Sequence, residues 1–168
     1  IIMNSGCYGM EISKILSSIK VLDYEGNTKL IDSKEIKFFY RGTNLSKDII
    51  ILSATFKGIL KSKKLVELKQ TELIKKKKET QPSRIKTGGS TFKNINGKKA
   101  WMLIKEAGCE KFYVGDARIS DKHCNFFFNN GNAKSSDFEN LISKVKNVVQ
   151  QKTGLNLELE IKIVGDEK

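Results

Sequence analysis

One amphipathic pattern near the C-terminus constrains the fold of this chain more than any other feature of the sequence. Apolar residues recur there at helical spacing, and the positions between them are polar: Phe138, Leu141, Ile142, Val145, Val148 and Val149. The pattern begins with a capping-box sequence, Ser136 to Glu139, and stops at Gly154. A helix with one apolar face buries that face against another layer of structure. The sequence therefore predicts a helix over residues 136–152 that packs on a sheet.

Apolar runs of strand length supply the expected sheets. The last of them, Leu155 to Gly165, alternates apolar and polar residues, which is typical of a strand with one buried face. The run from Ile49 to Phe56 begins with four consecutive apolar residues and predicts a buried central strand. Shorter runs beside turn signals predict a hairpin and two further strands: Val21–Tyr24 with Thr28–Ile31, Phe112–Val114 and Asn125–Asn129.

Helical spacing also predicts three other helices. A short one begins at Glu11 and buries Ile12, Ile15, Leu16 and Ile19. A lysine-rich one covers residues 61–78, with Leu65, Leu68, Leu73 and Ile74 as its buried side. The third covers residues 98–107, after the turn signal Asn96-Gly97 and before the stop at Gly108. We therefore expect an α+β protein in which two helices, 98–107 and 136–152, pack against a mixed sheet.

Length and composition fit one ordinary domain or two small ones. The chain has 168 residues, of which 39% are hydrophobic and 30% charged. The composition shifts in the lysine-rich segment of residues 61–78, and we expect a division into residues 1–58 and 59–168. No uninterrupted apolar run approaches the roughly 20 residues of a membrane span, and the first residues lack the pattern of a signal peptide. The start, Ile1-Ile2-Met3, resembles the interior of a protein, so the chain is expected to be a piece of a longer one.

The cysteines and the histidine argue against a metal site. Cys7, Cys109 and Cys124 are far apart and odd in number, which supports neither a disulfide framework nor a zinc knuckle. Free thiols in a reducing cytoplasm are the expected state. His123 precedes a strongly apolar run and is interpreted as a structural histidine, with a catalytic base as the alternative.

The net charge of +12 favours an anionic partner. Nucleic acid is one candidate, but only Arg41, Arg84 and Arg118 of the 31 basic residues are arginine, the residue that reads bases most often. Aromatic residues are not interleaved with the lysines as stacking platforms would be. A non-catalytic module that binds nucleic acid or another polyanion through residues 61–78 stays open as an alternative. An inactive remnant of a gene is a third reading.

The stretch from Thr87 to Asn94, with sequence TGGSTFKN, is the most suggestive candidate site. Its two glycines allow a positive φ and a close approach to a ligand, and they are followed by a serine hydroxyl, an aromatic ring, a cation and an amide. The alternative is an ordinary glycine-rich turn. The spacing of a phosphate-binding P-loop is absent. A second candidate is Arg41, which follows three aromatic residues and is read either as a cation in a cleft or as an exposed arginine at a strand end.

Several short motifs in one order carry a resemblance to a known family. They are Asn4 to Glu11, Tyr40-Arg41, Thr80-Gln81-Pro82, Gly89 to Asn94, Ala107-Gly108, Ser120 to His123 and Leu159 to Lys162. In this order the chain resembles UDP-N-acetylenolpyruvoylglucosamine reductase, also called UDP-N-acetylmuramate dehydrogenase or MurB, over essentially all of its length. Each motif is weak alone, and their shared order is what makes the signal specific.

The resemblance implies a flavoenzyme of bacterial peptidoglycan synthesis. In this family NADPH passes a hydride to FAD, which passes one to the enolpyruvyl group of UDP-N-acetylglucosamine enolpyruvate. Ser90 matches the serine that donates a proton to the neighbouring carbon. Arg41 matches the arginine beside the enolpyruvyl carboxylate, and Glu160 the glutamate that assists there as a protonated or proton-sharing acid. The UDP-sugar diphosphate would then be the anionic partner, and neither nucleic acid nor membrane is expected.

The same resemblance implies further contacts and some departures. Tyr40, Lys93 and Asn94 match substrate contacts, and four residues match cofactor contacts: Asn4, Gly6, Tyr8 and Gly9. Residues 1–58 would be the end of the FAD-binding lobe and residues 59–168 the substrate-binding domain, in the shorter type II form. Asp116 stands where the family usually has glycine, and Lys77 and Lys162 stand where it commonly has arginine. Because the N-terminal FAD-binding lobe is missing, the chain alone is not expected to hold FAD tightly.

Overall fold

The computed structural model describes residues 1–95 and 97–165, so Asn96 of the predicted Asn96-Gly97 turn lies outside the described residues. The chain divides into two compact units, the first covering Ile1–Lys63 and the second beginning at Lys64. Each unit has its own cluster of buried apolar residues. The α+β class expected from the sequence is confirmed.

Unit one is built on a three-stranded antiparallel sheet, with two small hairpins beside it. Its strands are β1 (Gly6–Cys7), β2 (Met10–Glu11), β3 (Leu16–Asp23), β4 (Thr28–Asp32), β5 (Phe38–Phe39), β6 (Gly42–Thr43) and β7 (Ile49–Phe56). The sheet order is β4-β3-β7, while β1 pairs with β2 and β5 with β6. The predicted hairpin between Val21 and Ile31 is confirmed as β3 and β4.

The predicted helix from Glu11 is wrong. Residues Ile12–Lys14 make only one 3-10 turn, and Leu16–Asp23 is the central strand of the sheet. The pairing of β3 with β7 shifts register between Leu16 and Ser18, so Leu16 and Ile19, three residues apart, are both buried. This irregularity gives a strand the spacing of a helix.

Strand β7 has the predicted extent but not the predicted burial. Within the described residues it lies at the edge of its sheet rather than at the centre. Ile50, Leu52 and Phe56 remain about half exposed. Its continuous apolar run therefore does not reflect burial on both faces within this chain.

Unit two packs helices against an antiparallel sheet. Its elements are α1 (Lys63–Thr80), β8 (Lys86–Ser90), α2 (Ala100–Glu106), β9 (Tyr113–Val114), β10 (Ala117–Ser120), β11 (His123–Asn129) and α3 (Ser135–Thr153). The sheet order is β8-β11-β10-β9, and every pairing described is antiparallel, so the expectation of a mixed sheet is wrong. Helices α2 and α3 pack on this sheet as predicted, and both contribute fully buried side chains to the core: Leu103, Ile104, Leu141, Val145 and Val149.

Local sequence signals predict the C-terminal end of α3 correctly but not its N-terminal cap. Gly154 has φ +72 and ends the helix where the sequence predicts. The predicted capping box at Ser136 to Glu139 is wrong, because the helix begins at Ser135. The Asp137 carboxylate instead accepts a hydrogen bond of 2.8 Å from the N–H of Lys134.

Helix α1 forms where predicted but does not bury its apolar side. None of its residues is buried within the described chain, and Leu65, Leu68 and Ile74 are each about half exposed. Its many lysines leave only a narrow apolar stripe. None of the helices in residues 1–95 and 97–165 has the length and hydropathy to cross a bilayer.

The C-terminal segment is not the strand that its alternation predicts. Within its described residues, up to Gly165, it makes one isolated bridge, between Leu159 and Phe92. Leu157 is nevertheless only 1% exposed, so the alternation correctly identifies an inward-facing residue. A short antiparallel contact with residues 91–93 takes the place of a full strand.

Candidate active site

Ser90 is the last residue of β8, and a bulge next to it sets its position. The Thr87 hydroxyl donates a 2.7 Å hydrogen bond to the Phe127 carbonyl and accepts one of 3.2 Å from the N–H of Gly89. Gly89 has φ +92, a conformation that favours glycine. The register of β8 against β11 shifts there, and Ser90 then pairs with Phe126. The glycine-rich stretch is thus a bulged strand that ends in a half-buried serine.

The segment after Ser90 is held by Asn125. The N–H of Phe92 donates to Oδ1 of Asn125 over 2.9 Å, and Nδ2 of Asn125 donates to the Phe92 carbonyl over 2.8 Å. The N–H of Thr91 donates to the main-chain carbonyl of Asn125 over 2.8 Å. Asn125 is 4% exposed, so its amide is satisfied inside the protein. Sequence reasoning did not single out Asn125, although a polar residue between apolar neighbours in β11 was the available signal.

Glu160 and Lys93 meet the same segment through main-chain hydrogen bonds. The N–H of Glu160 donates to the Thr91 carbonyl over 2.9 Å, and the N–H of Lys93 donates to the Glu158 carbonyl over 2.8 Å. The Lys93 ammonium lies 3.4 Å from the Glu158 carboxylate. Three residues predicted for the site, Ser90, Lys93 and Glu160, therefore lie on two chain segments that pair with each other.

Asn94 has a structural contact of its own. Its Oδ1 accepts a 3.0 Å hydrogen bond from the N–H of Ala100, the first residue of α2. Ala100 is fully buried, so this hydrogen bond fixes the start of a core helix. The amide oxygen is thus already engaged, and the predicted substrate contact would use another atom of Asn94.

Arg41 contacts the ring of Tyr40 in unit one, and the backbone of Arg41 is strained. Cζ of Arg41 lies 4.9 Å from the centroid of the Tyr40 ring, within the range of a cation–π contact. Arg41 has φ +58, which for a residue with a Cβ costs on the order of 1–3 kcal/mol. The next residue, Gly42, packs closely against the Phe39 ring. A Cβ at Gly42 would lie only 2.1 Å from that ring, so a larger residue does not fit there. Such strain is found most often at functional sites.

The four predicted cofactor contacts lie on or next to the hairpin of β1 and β2. Its turn is Tyr8-Gly9, with φ +50 and +81. A Cβ at Gly6 would lie 2.4 Å from the Met10 carbonyl oxygen, so only glycine fits in that strand. Asn4 is buried, and its Nδ2 donates to the Glu11 carboxylate over 2.9 Å.

Asn4 also joins this hairpin to the Tyr40-Arg41 pair. Its Nδ2 lies 3.4 Å from the carbonyl oxygen of Phe39, the residue before Tyr40, and its Oδ1 accepts from the N–H of Ser13 over 3.0 Å. The six predicted site residues of unit one therefore lie on or next to two neighbouring hairpins.

His123, Cys109 and Cys124 have buried surroundings, whereas Cys7 is exposed. The His123 ring makes an edge contact with Phe126 at 4.9 Å, and burial lowers the pKa of His123, so the imidazole is neutral at pH 7. Burial raises the pKa of the Cys109 and Cys124 thiols, so both stay protonated. Within residues 1–95 and 97–165 no three His, Cys, Asp or Glu side chains cluster as metal ligands would.

Asp116 has a structural role in the turn after β11. Its carboxylate accepts a 2.9 Å hydrogen bond from the N–H of Asn132, and its carbonyl accepts one from the N–H of Asn130. Asp116 thus stabilises the turn that precedes α3.

Comparison with known proteins gives matches to one family. The family model for the C-terminal domain of UDP-N-acetylenolpyruvoylglucosamine reductase matches residues 81–164. A Pelagibacter ubique protein named UDP-N-acetylenolpyruvoylglucosamine reductase is 46% identical over 165 residues, which cover 96% of this chain and 55% of that protein. A protein of the same name from Wolbachia pipientis wMel is 43% identical over 164 residues, covering 97% of this chain and 56% of that protein.

A solved structure matches as well. The crystal structure of UDP-N-acetylenolpyruvylglucosamine reductase (MurB) from Thermus caldophilus superimposes with a TM-score of 0.83 at 32% identity. The match covers 96% of this chain and 57% of that one. The chain thus spans a little over half the length of the relatives that it matches.

Proposed function

The chain belongs to the UDP-N-acetylenolpyruvoylglucosamine reductase family, and we propose that it is the substrate-binding and proton-donating part of such a reductase. The reaction is the reduction of UDP-N-acetylglucosamine enolpyruvate to UDP-N-acetylmuramate in peptidoglycan synthesis. In this proposal residues 59–168 bind the substrate, and residues 1–58 are the end of the FAD-binding lobe. The observation that carries it is the hydrogen bond from Glu160 to Thr91, which ties the glutamate's segment to the residue after Ser90.

The proposed chemistry divides among three side chains. FAD, when bound and reduced by NADPH, supplies the hydride for the vinyl carbon of the substrate. Ser90 donates a proton to the neighbouring carbon, on which carbanion or enolate character develops. The Arg41 guanidinium binds the enolpyruvyl carboxylate, since its fork matches two carboxylate oxygens. Glu160 assists at the same carboxylate as a protonated or proton-sharing acid.

The hairpin of β1 and β2 has features that fit a flavin contact. Among the described residues, no heavy atom beyond those of Gly9 and its two chain neighbours lies within 4 Å of the place where a Cβ on Gly9 would be, and Tyr8 is 38% exposed. The tip of this turn can therefore approach a planar ring closely. We assign the contacts on the flavin to Asn4, Gly6, Tyr8 and Gly9, and expect a preceding lobe to hold most of the cofactor.

The substrate would be held partly by charge. The Lys93–Glu158 ion pair is partly exposed, with side-chain exposures of 31% and 71%, so it contributes only about 0–1 kcal/mol. Lys93 can therefore exchange this partner for the diphosphate or a sugar oxygen at little cost. Tyr40 and Asn94 complete the proposed substrate contacts. A nucleotide-sugar substrate and NADPH place the reaction in the cytoplasm.

A titration separates this function from a polyanion-binding module. The chain is titrated with UDP-N-acetylglucosamine enolpyruvate and, separately, with a single-stranded oligonucleotide, each at two salt concentrations. We expect saturable binding of the UDP-sugar. Oligonucleotide binding with a steep salt dependence, and no binding of the UDP-sugar, would support the rival function.

A further inference from the structure

The side chain of Asn125 makes two hydrogen bonds close to Ser90 but outside the groups that take part in the proposed chemistry. Its side-chain amide both accepts from and donates to the main chain of Phe92, two residues beyond Ser90. This double contact fixes the orientation of the Phe92 backbone, since a rotation of either of its peptide groups would break one of the two bonds. We propose that Asn125 is a positioning residue that holds the Ser90 hydroxyl in place for proton donation, a role that rests on the proposed function.

Phe92 is well suited to transmit this constraint. Its ring is 1% exposed and meets the Phe127 ring edge-on, with centroids 5.8 Å apart. Its backbone is fixed by Asn125, and its neighbour Thr91 is hydrogen-bonded to both Asn125 and Glu160. The two residues after Ser90, Thr91 and Phe92, are thus fixed by hydrogen bonds. The two residues before it, Gly88 and Gly89, are of a conformationally flexible type. Asn125 thus restrains the C-terminal side of Ser90, in addition to the strand pairing of Ser90 with Phe126.

The geometry also explains why an amide is needed. The Phe92 N–H requires an acceptor and the Phe92 carbonyl a donor, and both lie in a buried place. Asparagine and glutamine carry the donor and the acceptor on two separate atoms side by side, which lets one side chain reach both backbone groups, and asparagine has the reach seen here. A carboxylate could accept a hydrogen bond from the Phe92 N–H. It has no proton to donate, so it could not bond to the Phe92 carbonyl.

Asn129 gives a matched control on the same strand. Its Oδ1 accepts from the N–H groups of Gly131 and Ala133 over 2.8 and 3.0 Å. It therefore also fixes a piece of backbone with its amide, but at the turn after β11 rather than beside Ser90. A substitution at Asn129 reproduces the loss of such bonds without touching the serine's segment.

The test compares Asn125→Asp and Asn125→Ser with Asn129→Ala in the holoenzyme. The holoenzyme is this chain fused to the part of the Pelagibacter ubique relative that the chain does not span. Four quantities are measured for each variant. They are kcat and KM for the enolpyruvyl sugar, the rate of flavin reduction by NADPH, and hydrogen exchange of the peptides covering residues 90–93 and 130–133.

We expect both Asn125 variants to lower kcat by about 10- to 100-fold, because small displacements of a reacting group are costly. KM should change by less than about 3-fold, because Lys93 keeps its main-chain bond to Glu158 and Asn94 its bond to Ala100. The rate of flavin reduction should be unchanged, and exchange in residues 90–93 should rise by about 5- to 10-fold for the lost hydrogen bond. Asn129→Ala removes the acceptor of the Gly131 and Ala133 N–H groups, so it should speed exchange only in residues 130–133 and leave kcat unaltered.

Other outcomes overturn the proposal. Faster exchange in residues 90–93 with normal kcat would show that the serine does not depend on Asn125. Equal losses of kcat and of flavin reduction, or failure of both Asn125 variants to fold, would show that Asn125 serves only the fold. If the unsubstituted holoenzyme does not reduce the sugar, the proposed function fails instead, and unchanged exchange in the Asn125 variants would still refute the backbone clamp.

Discussion

The main-chain N–H of Glu160 lies 2.9 Å from the carbonyl oxygen of Thr91. Thr91 directly follows Ser90, so this single bond joins the two segments that carry the proposed proton donor and the proposed acid. Thr91 is 2% exposed, which shields the bond from competition by water. The relative placement of the two segments is therefore a property of unit two itself.

Replacing Glu160 with glutamine tests the role of its acid proton. Glutamine keeps the size and the main-chain bond to Thr91 but cannot share a proton. We expect Glu160→Gln to lower kcat for the enolpyruvyl sugar in the holoenzyme by about 100-fold, as for loss of a general acid. Glu106→Gln, at an exposed position in α2, is the control and should retain normal kcat. Equal kcat values for Glu160→Gln and Glu106→Gln would show that Glu160 takes no part in the chemistry.

Replacing Lys93 with glutamine tests the contact with the anionic substrate. Loss of one charge-assisted hydrogen bond should raise the Kd for the UDP-sugar about 10-fold, or roughly 1.4 kcal/mol. Lys105→Gln removes the same charge from an exposed position in α2 and should change the Kd by less than about 2-fold. The measurement is calorimetric titration of the holoenzyme. A Kd that rises equally in both variants would mean that only overall charge matters.

Because the apolar residues of α1 are exposed, we predict that truncating one of them lowers the free energy of unfolding very little. Leu103→Ala removes a fully buried side chain from the core of unit two and should lower the free energy of unfolding by about 2–5 kcal/mol. Leu65→Ala, on α1 at 58% exposure, should cost less than about 1 kcal/mol. Denaturant unfolding of the chain measures both. A cost at Leu65 as large as at Leu103 would contradict the exposure of α1.

Because we assign only a few of the FAD contacts to this chain, we predict that the chain alone does not retain FAD. Only one small hairpin of unit one supplies the proposed contacts, which is too little surface to bury a flavin ring. After incubation with FAD and gel filtration, we expect the chain to be colourless and the holoenzyme to be yellow. A yellow chromophore in equal amount with the chain would contradict the assignment.

The two core helices could be predicted from the sequence because their signals are local. Apolar residues at helical spacing and a following glycine at Gly108 or Gly154 define α2 and α3 almost to the residue. The strand pattern of β11 is equally direct, since Cys124 to Phe127 are all buried. These features need no knowledge of the rest of the chain.

Other features depended on pairing that the sequence does not display. Leu16 and Ile19 have helical spacing only because a bulge lies between them, and Leu159 alternates with polar residues without forming a strand. The order of motifs located Ser90 and Glu160 as candidates, but the hydrogen bond that links their segments appears only in the fold. Asn125 was missed because its partner, Phe92, lies 33 positions earlier in the chain.

The most direct test of the proposed function is the separation of two half-reactions in a Ser90→Ala holoenzyme. Ser143→Ala, on the exposed side of α3, is the control. We expect NADPH to reduce the flavin at an unchanged rate, while reduction of the enolpyruvyl sugar, followed by rapid mixing, slows by about 100- to 10,000-fold for loss of the proton donor. Equal slowing of both half-reactions, or normal reduction of the sugar, would contradict the role of Ser90.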